Sequence, residues 1–83
     1  MQKFEDINFP VFRKYRNNHR YYRIINNREL EEIQVIGTKK ILHTLLAQQL
    51  PEIQLINDLI YHYHAFAEEI NEEEYQRVRA HIL

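Results

Sequence analysis

The stretch VFRKYRNNHRYYRIINN, residues 11–27, decides how the whole chain is read. Two short segments rich in aromatic and β-branched residues, Val11–Arg16 and Arg20–Ile25, are separated by Asn17-Asn18 and followed by Asn26-Asn27. Asn tolerates the left-handed backbone that tight turns require. Short segments punctuated at roughly 8–12-residue spacing read as an antiparallel meander. A two-residue turn at Asn17-Asn18 sets Tyr15 opposite Arg20, Lys14 opposite Tyr21, Arg13 opposite Tyr22 and Phe12 opposite Arg23. Each rung then pairs a ring with a cation, which is favourable across strands. A three-residue turn would set Arg13 against Arg23 and Arg16 against Arg20, like charges face to face. The two-residue register is the one expected.

Working outward, a third segment of the same character, Glu31–Ile36, leads into Gly37, the only glycine of the chain. The next residues allow two readings. Ile41, Leu42, Leu45, Leu46 and Leu50 suit a helix beginning after Thr38, or a fourth strand after a turn at Gly37–Lys40. Periodicity does not arbitrate for short apolar runs. Gly37 between Ile-rich flanks reads as a hairpin turn, which favours the strand.

Beyond Pro51 a helical period takes over. Ile53, Ile56, Ile60, Tyr63, Ala67 and Ile70 recur at alternating spacings of three and four, predicting a helix over residues 51–70. Pro51 suits the first helical turn, and Glu52 complements the positive helix end. Leu55, Leu59, His62 and Phe66 form a second stripe beside the first, wider than one sheet face needs, and are the candidate interface. A last helix is expected from Asn71, with Asn71 and Glu74 as a capping pair and Tyr75, Val78 and Ile82 as its apolar edge. The expected fold is a single α+β domain over residues 1–83. It is an antiparallel three- or four-stranded β-meander followed by two α-helices packed on one face.

The order Phe12-x-Lys14-Tyr15-x-Asn17-Asn18, Tyr21-Tyr22-Arg23-Ile24, Glu31-Glu32-Ile33-Gln34-Val35-Ile36-Gly37 and Leu50-Pro51-Glu52 resembles a family of small bacterial proteins, over residues 11 to 80. The resemblance implies no activity, since none is assigned to that family. It favours strand for residues 41–48.

Composition narrows the chemistry. The chain has no cysteine and no serine, and its only threonines are Thr38 and Thr44, so the usual activated nucleophiles are missing. One glycine is too few for a phosphate-cradling loop or a dinucleotide fingerprint. Asp58 and His62 stand one helical turn apart, a spacing that can hold a divalent metal, but two ligands make an incomplete site. No catalytic residue, metal or cofactor is therefore assigned. The start carries Glu5 and Asp6 and leads into no apolar run, and no segment approaches the roughly 20 apolar residues of a spanning helix. A cytoplasmic protein without a membrane segment is expected.

Charge is unevenly placed. Residues 1–40 hold nine Lys/Arg against five Asp/Glu, a balance of +4, and residues 41–83 hold two against seven, a balance of −5. From Val11 to Arg28 there are six cations and no acid. Two readings follow: the halves attract one another within the fold or a dimer, or the basic segment meets an anion. For the second, Arg13, Lys14, Tyr15, Arg16, Arg20, Tyr21, Tyr22 and Arg23 are the candidate nucleic-acid-binding residues, with tyrosines to stack on unpaired bases. The leading expectation is a non-catalytic interaction module, homodimeric or bound to another protein. Nucleic-acid or polyanion binding through the hairpin 11–25 is the alternative.

Overall fold

A computed structural model describes residues 7–82. Four strands follow in order, β1 (Val11–Tyr15), β2 (Arg20–Asn26), β3 (Glu29–Ile36) and β4 (Lys39–Leu46). Helix α1 (Leu50–Tyr61), a three-residue strand β5 (Ala67–Glu69) and helix α2 (Glu72–Arg79) complete the chain. All five strands form one antiparallel sheet in the order β4-β3-β2-β1-β5. The α+β meander stands as expected, and the ambiguous segment after Gly37 is its fourth strand.

The turns carry the meander. Asn18 takes a left-handed backbone at φ 62°, its N–H donating to the Tyr15 carbonyl at 2.9 Å, while the Asn17 side chain accepts from His19 N at 2.8 Å. The rungs expected from the sequence follow: Phe12 faces Arg23, Arg13 faces Tyr22 and Lys14 faces Tyr21. At the next turn the Asn26 side chain accepts from Arg28 N at 2.8 Å. Gly37, at φ 62°, supplies the left-handed residue of the third.

The helices lie on opposite faces of the sheet, not together on one. Register places Val11, Ile24, Leu30 and Leu45 on one face and Phe12, Arg23, Glu31 and Thr44 on the other. Helix α1 buries Ile56, Leu59 and Ile60 against Tyr22, Ile24, Leu30 and Ala47 on the first face. Helix α2 sets Tyr75 against Phe12 and Ile33 on the second, with Val78 and Ile82 beside it. The physical reason is that both sheet faces carry apolar side chains, so each needs its own cover.

The long helix expected over 51–70 is also shorter. It stops at Tyr61, and His62 leaves the helix at φ −131°, ψ 38°. A turn at Tyr63–Phe66 then delivers β5 to the free edge of β1, where Glu69 faces Arg13 and Glu68 faces Lys14. Opposite charges on both rungs favour a strand there over further helix. The capping expected at Asn71 is present, its side chain accepting from Glu74 N at 2.8 Å. No helix among the described residues is long and apolar enough to cross a membrane.

Candidate functional site

The basic hairpin is built into the fold. Arg13, only 8% exposed, donates from Nε to the Leu59 carbonyl and from a terminal nitrogen to the Phe12 carbonyl, both at 2.9 Å. Its guanidinium lies 4.0 Å from the centre of the Tyr63 ring. Leu59 is in the last turn of α1, which has no basic residue of its own. Arg13 therefore supplies from β1 the cation that the negative helix end lacks. Burial lowers the Arg13 pKa, against the opposing pull of Tyr63 and Glu69.

Its neighbours are similarly engaged. Lys14 reaches Glu68 at 3.4 Å and Glu74 at 3.3 Å, tying β1 to β5 and to the start of α2. Burial works against the Lys14 charge, but the two glutamates outweigh it and the pKa is raised. Arg16 donates twice to the His64 carbonyl and once to Glu68. Arg20 donates to Glu32 at 2.9 Å, and that hydrogen bond raises its pKa. On the α2 face, Glu31 accepts from Tyr75 at 2.9 Å and from Arg79 at 3.1 Å, beside Arg23, whose Nε is buried with no partner among the described residues.

The tyrosines do not form a stacking platform. Tyr22 is 1% exposed and donates to Glu32 at 2.8 Å. Tyr15 packs against Tyr22 and meets Phe66 edge-on at 5.6 Å. Tyr21 sits half-buried in the cluster on the other face. The eight candidate residues are thus divided between the two sides of the sheet and brought to no single basic surface. Alternation along a strand has this effect on any consecutive run.

The candidate interface on α1 is dismantled too. Leu59 is fully buried in the core and Leu55 packs against it. His62 is exposed, and Phe66 lies in the turn beyond the helix. Within α1 the apolar residues of both stripes pack toward the sheet, Phe66 is left 37% exposed in the turn beyond the helix, and α2 lies on the far face and is not its cover. The Asp58 carbonyl accepts from His62 N at 2.9 Å, and no cluster of three or more His, Cys, Asp or Glu suited to a metal forms among the described residues.

The unsatisfied surface lies elsewhere, at the β4 edge. β4 ends the sheet and, among the described residues, pairs with β3 alone. Ala47 N donates to the Arg28 carbonyl, continuing the β3–β4 ladder. By alternation, the odd-numbered residues of β4 bond to β3, while Lys40, Leu42, Thr44 and Leu46 direct their N–H and C=O groups outward. Ile41 is 39% exposed and Leu46 59%, with Ile36 and Leu50 exposed at the two ends. Folded proteins blunt such edges by shortness, charge, proline or bulges. β5, at the opposite edge, has three residues, two of them glutamates. β4 has eight residues, with no charged residue or proline from Ile41 to Leu46.

The edge is not legible in residues 41–48 themselves, because which strand ends the sheet depends on where β5 joins it. The local signal is the two adjacent apolar pairs, Ile41-Leu42 and Leu45-Leu46, where a half-buried strand would alternate. No family model, curated protein or solved structure matches the chain.

Proposed function

We propose that this protein is a small, non-catalytic, cytoplasmic interaction module that works as a homodimer through its open sheet edge. The observation that carries the reading is the eight-residue β4 edge, with its outward peptide groups unpaired among the described residues and Ile41 and Leu46 exposed along it. Adding a strand satisfies those groups and covers the apolar side chains in one step. The chain's lack of serine and cysteine supports the non-catalytic part of the reading.

Binding of a polyanion by the hairpin 11–25 has less support, because Arg13, Lys14, Arg16 and Arg20 are already held by carbonyls and carboxylates. Sedimentation equilibrium tests the proposal. A dimer mass is expected for the wild type, and a monomer mass for an Ile41→Lys, Leu46→Lys double variant that keeps its circular dichroism spectrum. A strictly monomeric wild type at high micromolar concentration rejects the homodimer.

A further inference from the structure

Resting on that reading, we infer that the strand added to β4 is β4 of a second copy, antiparallel, with the two-fold axis passing at His43. Two sheets joined edge to edge by a perpendicular two-fold keep their faces matched, so each residue must meet one of the same parity. Centring the axis at His43 sets Leu42 opposite Thr44, Ile41 opposite Leu45, and Lys40 opposite Leu46 of the second copy. Every outward N–H and C=O of Lys40, Leu42, Thr44 and Leu46 then finds a partner. Centring at Leu42 leaves Leu46 opposite Thr38, beyond the strand, which β4 begins at Lys39.

Charge supports the same occupant. The cations of β4, Lys39 and Lys40, stand together at one end. In the antiparallel arrangement they lie at opposite ends of the joint, about 20 Å apart at ~3.4 Å per residue. No two charged residues face one another. Lys40 instead comes over Leu46 toward Glu29, which neighbours Leu46 in β3. The exposed Ile41 is covered by Leu45, and the exposed Leu46 by the aliphatic stem of Lys40. β4 is thus complementary to itself in this one direction, and the product is a continuous ten-stranded sheet, five strands from each copy.

The geometry at the axis is testable because the chain has no cysteine. His43 bonds inward to β3, so the two copies of residue 43 form a non-hydrogen-bonded pair with Cα atoms ~4.5 Å apart. That separation is within disulfide range. A His43→Cys variant is expected to cross-link to a dimer under mild oxidation at least tenfold faster than Ile41→Cys, whose two copies lie ~14 Å apart. Sedimentation under reducing conditions, run alongside, separates the failures. A dimer in which mixed Ile41→Cys and His43→Cys chains cross-link faster than His43→Cys alone overturns this register but leaves the homodimer standing. A monomer overturns both. Thr44→Pro removes an outward N–H without touching the β3–β4 ladder. It is expected to stay folded and lose the dimer, and a Thr44→Pro protein that remains dimeric also overturns the inference.

Discussion

Replacing Arg13 with Met should cost far more stability than changing a surface cation, because Arg13 closes α1 onto the sheet. The substitution keeps the aliphatic length and removes the guanidinium. Lost with it are two charge-assisted hydrogen bonds, to the carbonyls of Leu59 and Phe12, and a cation–ring contact with Tyr63. Hydrogen bonds from charged donors contribute about 1.5–3 kcal/mol each. A desolvated cation–ring contact adds up to about 2 kcal/mol. Against these stands relief from burying a charge, the effect that lowers the Arg13 pKa. The net loss is roughly 3 kcal/mol, a large share of the ~5–15 kcal/mol that holds a domain together. In a chain of this length it lowers the melting temperature by roughly 12–24 °C, at ~4–8 °C per kcal/mol. Urea denaturation followed by circular dichroism measures it as a lower midpoint at unchanged slope. Arg16→Met, at an exposed site, serves as the control and should cost about 1 kcal/mol or less. An Arg13→Met protein within about 0.5 kcal/mol of wild type would refute the argument that this arginine caps the helix.

Two further outcomes follow from the buried rings and the core. Burial raises the pKa of Tyr22, helped by Tyr15 and Glu32, and burial with Glu31 raises that of Tyr75. The stability these protons carry is intact below the ordinary tyrosine range near pH 10 and is lost as pH rises through and beyond it. The expected decline is about 1.4 kcal/mol per pH unit for each tyrosine. A Tyr75→Phe variant followed by urea denaturation between pH 10 and 12 should decline less steeply by that amount, and an unchanged slope rejects the assignment. Leu59→Ala should cost about 2–5 kcal/mol as a core truncation, whereas an interface residue at that position would weaken the dimer and leave the folded monomer intact.

The meander was legible because its signals are local. Asn18 and Gly37 specify turns through their tolerance of positive φ, Asn17 by accepting from His19 N, and the ring–cation rungs select the register. Helix α2 was legible for the same reason, its cap, acidic first turn and apolar edge all lying within twelve residues, from Asn71 to Ile82. What was not legible required knowing where distant segments meet. The apolar period running through Tyr63, Ala67 and Ile70 looks helical by itself. It is overridden because β1 offers Arg13 and Lys14 to Glu69 and Glu68, and because Arg16 holds the His64 carbonyl in the intervening turn. The division of the helices between two faces was in principle visible. Phe12, Ile33 and Leu42 are apolar on the face opposite Val11, Leu30 and Leu45, so neither side of this sheet could be left wet.

The charge asymmetry separates what the fold consumes from what it leaves over. The surplus cations of the first half meet the surplus acids of the second: Lys14 with Glu68 and Glu74, Arg16 with Glu68, Arg13 opposite Glu69. These contacts close the chain by fastening its last strand and helix onto its first strand. Four of the six cations between Val11 and Arg28, namely Arg13, Lys14, Arg16 and Arg20, are thus spent on carbonyls and carboxylates inside the molecule. Among the described residues, the outward main-chain N–H and C=O groups of β4 are left unpaired, groups that every residue but proline carries and that no composition or motif can mark. They become distinctive only because four hairpin-linked strands must end somewhere, and β5 joins the other side. An edge beside exposed Ile41 and Leu46 is tolerable for a solitary chain only with a charge, a bulge or a proline to block it; the charges of β4, Lys39 and Lys40, stand at its first end alone, and the stretch from Ile41 to Leu46 has none of the three. The missing safeguard is the strongest physical reason to expect a partner there. The self-complementary placement of Lys40 against Leu46 is the reason to expect that partner to be the same chain.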